Sequence, residues 1–406
     1  MKRTLQIIII TTILIVTVIF SVCGKNVDNN EVVFWTLQLS DFAPYINGVI
    51  SDFEKENPKI KIKWVDVPFA EGEKRTLASV LSDNPPDLVN LNPDFSATLA
   101  HKGTLYEISK ENLTQYNDEI IKSLEINNKI YSIPWYATSA ITIYNKDLIQ
   151  KSGISVPKTY SQIAEFAPIV KAKTGAYIFF PNITENDTML KILNKYAVLP
   201  NQINTEKGEE VFDIFSYLYT KNLIPKETVT ITLQEALEKY MSGNIALIGA
   251  GANFLNMIKE NAPAIYSKTD VAPQITGALG QNDFSLMNFV IPLRAKHKDE
   301  ALKFALFLTN EKNQLELAKL TNVLAVNNNS LNNEFYTKYD KNDLMAKARV
   351  ISAAQLDKIQ PAYKTQKSQK DINNIVNSAV QEILLGKSDT KQILDKAVKE
   401  IDKLEK

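Results

Sequence analysis

The sequence predicts an α/β fold with two domains, and three observations support this. The chain has 406 residues, which is long for one hydrophobic core and suits two. Between residues 31 and 103, short apolar runs alternate with segments whose apolar residues recur at helical spacing. This β-α-β-α-β order favours a parallel sheet with right-handed crossovers. After residue 148 a similar alternation begins again, so we expect two mostly parallel sheets, each flanked by helices.

The elements of the first domain are delimited by proline, glycine and asparagine. The segment KIKIKWVDV alternates strictly and predicts a strand with one exposed face. The first helix ends just before Pro58, because the residue preceding a proline disfavours the helical conformation. We expect strands at 31–35, 59–67 and 88–91, and helices at 42–56, 73–81 and 95–101.

The elements after residue 148 are predicted in the same way. Thr232 and Glu235 form a capping-box pattern that opens a helix. We expect strands at 176–180, 245–248 and 286–291, and helices at 160–173, 189–197, 206–223, 232–242, 299–309, 311–320, 371–385 and from 390 onward. The sequence GAGAN (249–253) predicts a strand-to-helix turn whose backbone N–H groups can approach a ligand. It lacks the nucleotide-binding patterns GxGxxG and GKS/T, and for each glycine alone tight packing is the better explanation.

The segment YSIPWYATSAITIYNKDL (131–148) lies between the two patterns. Its two apolar runs are separated by Pro134 and the paired aromatics Trp135 and Tyr136, which suits a segment that leaves one domain and enters another. A buried hairpin within one large core explains these residues equally well. Trp and Tyr can cover an apolar ligand face and still offer a polar edge.

Composition excludes several classes of function. Lys+Arg and Asp+Glu number 46 each, so the chain lacks the excess basic charge of an extended nucleic-acid surface. Cys23 is the single cysteine, which excludes an intrachain disulfide. His101 and His297 are the only histidines and are far apart in sequence. They offer little for a zinc site or a histidine-based triad, and we expect no metal, cofactor or catalytic residue.

The N-terminus, MKRTLQIIIITTILIVTVIFSVCGK, has a basic start, an apolar run and then Cys23. It resembles a bacterial lipoprotein signal, in which the cysteine is lipidated and becomes the new N-terminus. Phe20 and Val22 depart from the usual leucine and small residue of that signal. We expect a signal peptide at 1–22, a polar tether at 23–30 and a lipid anchor on Cys23. An uncleaved membrane anchor is the alternative, because the run approaches the length that spans a bilayer. Both place the body of the protein outside the cytoplasmic membrane.

Eight segments together resemble the extracellular solute-binding proteins of bacterial ABC importers, in the sugar-binding group that includes maltose- and glycerol-3-phosphate-binding proteins. No segment is distinctive alone, and their order and spacing carry the resemblance over nearly all of the mature chain. The segments are VVFW, DFEKENPKIKIKW, NPPDLVNLNPDF, YSIPWYATSAITIYNKDL, SGISVPKTYSQI, YMSGNIALIGAG, FALFLTNEKNQLELAK and IVNSAVQEILLGK followed by ILDKAVKEI.

The resemblance implies a two-lobed periplasmic-binding-protein-like fold, whose lobes are joined by a three-crossing hinge. The crossings are expected near 136–140, 286–290 and 323–327. The N-lobe would comprise 31–137 with 290–325, and the C-lobe 138–289 with 326–406. The resemblance also implies a monomer that closes around a carbohydrate and is then recognised by the transmembrane subunits of an ABC permease.

Sugar recognition needs flat apolar faces together with amides or carboxylates for the hydroxyl groups. Parallel sheets bind ligands at the carboxyl ends of their strands, which directs attention to the residues that follow each strand. Tyr136, at the first crossing, is the central candidate, whereas Asp94 suits ligand binding and local structure equally. The predicted ligand-binding residues are Trp35, Phe69, Asn92, Asp94, Trp135, Tyr136, Asn182, Gly249, Gly251 and Asn253. We assign Trp64 to packing and Asp87 to ordering a turn.

A neutral mono- or oligosaccharide is the preferred ligand. A phosphorylated polyol such as glycerol-3-phosphate is the alternative, and it would need fixed positive charge that Arg75 and Arg294 supply poorly. A membrane-tethered carbohydrate-active enzyme is a different class, but no pair of carboxylates stands out as glycoside hydrolysis requires. A surface adhesin is disfavoured by the absence of sequence repeats.

Overall fold

A computed structural model describes residues 30–321, 323–359, 369–386 and 389–405. The predicted signal peptide, Cys23 and the tether up to residue 29 lie outside the described residues. Within the described ranges, no helix combines the length and the apolarity needed to cross a membrane.

The described strands are β1 (Asn30–Leu37), β2 (Ile60–Val67), β3 (Leu88–Leu91), β4 (Glu125–Ile126), β5 (Lys129–Ile130), β6 (Ser132–Thr138), β7 (Ala140–Asn145), β8 (Tyr177–Phe179), β9 (Ile245–Gly251), β10 (Thr269–Ala272), β11 (Ser285–Val290) and β12 (Leu324–Ala325). The described α-helices are α1 (Ala43–Glu56), α2 (Phe69–Val80), α3 (Pro93–His101), α4 (Asp118–Ser123), α5 (Lys146–Ser152), α6 (Tyr160–Thr174), α7 (Thr188–Asn194), α8 (Glu206–Thr220), α9 (Leu233–Met241), α10 (Phe254–Asn261), α11 (Pro263–Tyr266), α12 (Lys298–Leu308), α13 (Glu311–Thr321), α14 (Asn328–Leu331), α15 (Glu334–Thr337), α16 (Leu344–Ala354), α17 (Gln369–Leu384) and α18 (Thr390–Glu405).

The first sheet has six strands in the order β12-β6-β11-β3-β1-β2. β1 pairs in parallel with both β2 and β3, which confirms the predicted β-α-β-α-β unit. Helices α1 and α2 supply the crossovers that parallel pairing requires. β11 and β12 enter the sheet later in the chain and pair antiparallel. The mostly parallel sheet expected from sequence is therefore parallel only from β1 to β3.

The second sheet has four strands in the order β10-β7-β9-β8. β8 and β9 pair in parallel, and β7 pairs antiparallel with both β9 and β10. The capping box opens α9 as predicted, with Thr232 accepting a hydrogen bond from the Glu235 backbone and the Glu235 carboxylate accepting one from Thr232 N–H. The sheet is therefore mixed, and again only part of it has the expected parallel pairing.

The chain passes from the first sheet to the second at Ser139, between β6 and β7. These consecutive strands belong to different sheets, so the buried-hairpin interpretation of 131–148 is wrong. Pro134 does not interrupt β6, although the sequence suggested a break there. It lies opposite a register shift between Met287 and Asn288 of β11, where a residue without an N–H group is tolerated.

The return to the first sheet takes place between residues 272 and 285, because β10 belongs to the second sheet and β11 to the first. This crossing precedes the expected position at 286–290. The lobe boundaries stay a prediction, although all of Ser285–Val290 pairs within the first sheet. Near the third expected crossing, β12 pairs with β6, while α16 further along packs against β10 and β7.

Each sheet has its own apolar packing. Phe34 of β1 contacts Phe304 edge to face, with ring centroids 5.4 Å apart, and Phe304 meets Phe53 at 4.9 Å. In the second unit, Leu247 of β9 belongs to a cluster that also contains residues of α17 and α18. The apolar clusters around the first sheet are therefore separate from those around the second.

Candidate functional site

A cavity of about 590 Å³ lies where β6 passes into β7, a size within the range of roughly 300–1,000 Å³ common for ligand sites. Its two sides come from the two sheets and differ in chemistry. The apolar side, associated with the first sheet, is formed by Leu39, Phe42, Ile46, Trp135, Tyr136, Thr138, Phe284, Ser285, Leu317, Thr321 and Val323. The polar side, associated with the second sheet, mixes apolar residues with Asn182, Lys191, Lys195, Gly249, Gly251, Asn253, Gln274 and Asp283.

Trp135 and Tyr136 lie together on the apolar side. Trp135 is 1 % exposed and stacks on Phe289, with ring centroids 4.6 Å apart. Tyr136 is half-buried and contacts Trp135 edge to face at 5.0 Å. Burial raises the pKa of Tyr136 to about 12, so its hydroxyl group remains a hydrogen-bond donor at neutral pH. Trp135 therefore backs the cavity wall, and Tyr136 is the ring with more surface to offer a ligand.

The GAGAN segment does not form the predicted turn. Gly249 to Gly251 are the last residues of β9, where Gly249 pairs with Thr142 and Gly251 with Ala140 of β7. The strand continues because β7 offers a ladder partner that local sequence does not reveal. On the other side of β9, β8 ends at Phe179, so the two glycines extend past its end, toward the cavity.

The two glycines differ in the space around them. A Cβ atom added at Gly249 would meet no atom within 4 Å, whereas one at Gly251 would lie 2.5 Å from Asn253 Oδ1. Gly251 therefore permits the close approach of Asn253, and Gly249 leaves cavity space open. Asn182 also lines the cavity, and its Nδ2 donates to Glu185 Oε2 at 2.7 Å.

Three of the predicted residues lie outside the cavity lining. Side chains alternate across a strand, so Phe34 packs in the cluster that contains Phe53 and Phe304, and Trp35 faces the opposite side of the sheet. Arg75 Cζ lies 5.1 Å from the centroid of the Trp35 ring. Asn92 caps α3, its Oδ1 accepting from Phe95 N–H at 2.8 Å. Asp94 is exposed in the first turn of the same helix.

Leu39 and Phe42 reach the cavity instead, because the chain after β1 continues across its edge.

Phe69 begins α2 rather than ending a loop, four residues before the predicted helix start. Its side chain lies outside the described residues. The prediction for Phe69 as a ligand-binding residue therefore stays a prediction.

Sequence reasoning missed a buried lysine on the polar side. Lys195 follows α7, and its side chain is 4 % exposed. Its Nζ donates to Gln274 Oε1 and to the Ile275 carbonyl group, each at 2.7 Å, and pairs with Asp283 Oδ2 at 3.1 Å. Burial lowers the pKa of Lys195, while the charge of Asp283 opposes this shift. In the segment MLKILNKYAV (189–198), nothing sets Lys195 apart from Lys191, so the local sequence carries no signal for its burial.

Gln274 connects this lysine to the crossing between the sheets. Its Nε2 donates to Ser139 Oγ at 3.2 Å and to the Asp283 carbonyl group at 3.0 Å, and its Oε1 accepts from Asp283 N–H at 3.1 Å. Gln355 donates to the same Ser139 Oγ at 2.7 Å. A buried hydrogen-bond network therefore links the cavity with the crossing segment at Ser139 and with residue 355.

Lys191 is the second lysine of the cavity, and it is half-buried. Its Nζ pairs with Asp187 Oδ1 at 3.1 Å. Burial lowers the pKa of Lys191, but the attraction of Asp187, Asp283 and Asp94 outweighs it, and the pKa lies above its ordinary value. Asp94 therefore lies near Lys191, although it does not line the cavity.

A metal centre finds no support in the described part of the chain, where no group of three or more His, Cys, Asp or Glu side chains could hold an ion. The donor groups of the cavity are instead hydroxyls, amides and paired charges.

Comparison with known proteins gives similar chains that are themselves binding proteins. The multiple sugar-binding protein of Streptococcus mutans is 25% identical over 330 residues, covering 75% of this chain and 77% of its own. The galactooligosaccharide-binding protein of Bacillus subtilis is 23% identical, covering 91% and 88%. Among solved structures, a candidate oligosaccharide periplasmic-binding protein from Synechococcus sp. MITs9220 superposes with a TM-score of 0.83 at 28% identity, covering 91% of this chain and 97% of that one.

The similar structures have the two-lobed α/β architecture expected from the sequence, which confirms the predicted fold class. A family model described as bacterial extracellular solute-binding protein matches residues 38–315, more than half of the chain. The protein therefore belongs to the family of bacterial extracellular solute-binding proteins.

Proposed function

We propose that this protein captures a neutral mono- or oligosaccharide in the cavity between its two sheets and delivers it to the permease of an ABC importer. In this proposal, two lobes close on the ligand. We expect them to comprise residues 31–137 with 290–325 and residues 138–289 with 326–406. The relatives named for sugars and oligosaccharides support the choice of carbohydrate.

The observation that carries this proposal is the contrast between the two sides of the cavity. A sugar ring has apolar C–H faces and a polar rim of hydroxyl groups. Tyr136 and Phe42 offer apolar surface on one side, while Asn182, Asn253 and Asp283 offer amide and carboxylate groups on the other. A ligand that fills the cavity touches both, and it stabilises the closed state only through such contacts.

The charges of the cavity favour a neutral ligand over a phosphorylated one. Lys195 is paired with Asp283, and Lys191 is surrounded by the charges of Asp187, Asp283 and Asp94. Neither lysine offers an uncompensated positive charge to a phosphate group. Glycerol-3-phosphate is therefore the competing ligand that the experiment must test.

Binding is favoured over glycoside hydrolysis by the supply of carboxylates. Asp283 is the only carboxylate among the described residues that line the cavity. The usual hydrolytic mechanism places two carboxylates across the scissile bond.

Isothermal titration calorimetry tests the proposal. The soluble chain without its first 24 residues would be titrated with maltose, maltotriose, raffinose, galactobiose, diacetylchitobiose, mannitol and glycerol-3-phosphate. We expect at least one neutral sugar to bind reversibly, without new products on chromatography, and glycerol-3-phosphate to bind at least tenfold more weakly. Absence of binding by every neutral sugar, or tighter binding of the phosphate, would contradict the proposal.

The N-terminus is proposed to be a lipoprotein signal that anchors a monomer to the outer face of the membrane through Cys23. Labelled fatty acid should attach to the native protein in cells, and the Cys23→Ser variant should carry no label. An unlabelled native protein would refute the lipid anchor and leave the uncleaved apolar segment as the alternative.

A further inference from the structure

Asp283 is the one carboxylate of the cavity lining within the described residues, and its surroundings fix its position. Its side chain is 26% exposed, so it remains accessible from the cavity. It precedes β11 by two residues, in the segment through which the chain returns to the first sheet. The sequence around it forms no recognised binding motif.

Lys195 pairs with the Asp283 carboxylate, and its ammonium group has no N–H donor left for a ligand. An ammonium group carries three N–H donors. The contacts of Lys195 with Gln274 Oε1, the Ile275 carbonyl and Asp283 Oδ2 account for three donors. At 4 % exposure, Lys195 is therefore a positioning residue that does not itself meet the ligand.

Gln274 fixes the backbone of the same residue from both sides. Its amide oxygen accepts from Asp283 N–H at 3.1 Å, and its amide nitrogen donates to the Asp283 carbonyl group at 3.0 Å. Gln274 is itself 4 % exposed, and its backbone N–H donates to Gln355 Oε1 at 2.6 Å. Side chain and backbone of Asp283 are thus both held before a ligand arrives, which is the condition for a preorganised binding group.

We propose that Asp283 is the specificity-determining hydrogen-bond acceptor of the cavity, and that it accepts from hydroxyl groups of the bound sugar. A carboxylate has about four acceptor positions, and the contact with Lys195 uses Oδ2. The acceptor positions that remain on Asp283 can take hydrogen bonds from ligand groups that carry O–H or N–H donors. Ligand carboxylate or phosphate groups at this position are repelled. This inference rests on the proposed function, because it assumes that the ligand is a sugar.

The test compares the sugar of the panel that binds tightest with its monodeoxy derivatives, on the native protein and on Asp283→Asn. In the native protein, removal of the hydroxyl group that contacts Asp283 should weaken binding about 10- to 100-fold, as for a charge-assisted hydrogen bond. Asp283→Asn should weaken binding of the parent sugar by a similar factor. Its discrimination between the parent and that deoxy sugar should fall to about threefold or less, an effect that mere structural damage does not produce.

Asp187→Asn is the matched control, because Asp187 is also paired with a cavity lysine at 3.1 Å but is absent from the described cavity lining. It should keep the native discrimination. If Asp283→Asn fails to fold by circular dichroism, Asp283→Glu replaces it. That variant keeps the charge and moves the carboxylate by one methylene group, and it should also lose the discrimination.

The outcomes separate this inference from the proposed function. Lack of binding of any neutral sugar by the native protein overturns both. Sugar binding with native discrimination in the Asp283 variant that folds overturns only the assignment of Asp283. If Asp187→Asn also loses the discrimination, removal of any negative charge near the cavity has this effect. That result likewise overturns the assignment of Asp283.

Discussion

The two sides of the cavity differ in how their polar groups are held. On the apolar side, the polar groups of the described side chains are hydroxyls, namely those of Tyr136, Thr138, Ser285 and Thr321, beside the Trp135 indole. On the polar side, the charged groups are Lys191, Lys195 and Asp283, each within an ion pair. One side can therefore adapt to the ligand by packing, while the other presents groups in fixed positions.

This difference suggests a division of roles. Apolar contacts are non-directional and contribute in proportion to buried area, so the apolar side sets how strongly a ring is held. Hydrogen bonds to buried, preorganised groups are directional, and a ligand that leaves them unpaired is penalised. The polar side therefore sets which ligand is accepted.

Gly249→Leu should have the largest effect, because it fills the cavity. A Cβ atom at Gly249 meets nothing within 4 Å, so the backbone tolerates the side chain, which would extend into space that the ligand needs. We expect binding of the best sugar to weaken roughly 10- to 100-fold, as for an overpacked site. Gly48→Leu is the matched control, since Gly48 in α1 has equally open surroundings and does not line the cavity. Equal affinities of the two variants by calorimetry would exclude Gly249 from the binding site.

Tyr136→Ala tests the apolar side. Loss of the ring removes apolar contact area and one hydroxyl group, and we expect affinity to fall roughly tenfold for every sugar that binds. Discrimination between parent and deoxy sugars should persist, in contrast to the Asp283 variant. The control is Tyr217→Ala, because Tyr217 is 41% exposed on α8, outside the cavity lining. Unchanged affinity with an intact melting transition would show that Tyr136 does not bind the ligand.

Local patterns were sufficient to predict most elements and the position of the first crossing. Pro134 and the aromatic pair Trp135-Tyr136 mark a strand that ends where the chain changes sheet, and all three lie in β6. The extension of β9 to Gly251 could not be predicted, because it depends on pairing with β7, about 110 residues earlier in the chain. Strand ends that rely on distant partners escape local reasoning.

The candidate site residues show the same limit, because those that tertiary packing alone brings together were not predicted. Tyr136, Asn182 and Asn253 were predicted from their positions after or within strands, and they line the cavity. Lys195 and Asp283 come from segments 88 residues apart, with no shared motif, and only tertiary packing brings them together. Trp35 was predicted from its place near a strand end, but alternation along the strand turns its side chain to the other face.

Lys191→Met should have the smallest effect and decides whether the polar side recognises charge. Lys191 is half-buried, and the attraction of three carboxylates already raises its pKa. A neutral sugar gains little from a compensated charge, so we expect its affinity to change by less than about threefold. Lys122→Met is the control, because Lys122 is also paired with a carboxylate, at 2.7 Å from Glu119, but lies outside the cavity lining. A phosphorylated ligand would instead lose tenfold or more with Lys191→Met and nothing with Lys122→Met. Its charge would need Lys191, the more exposed of the two lysines in the described cavity lining.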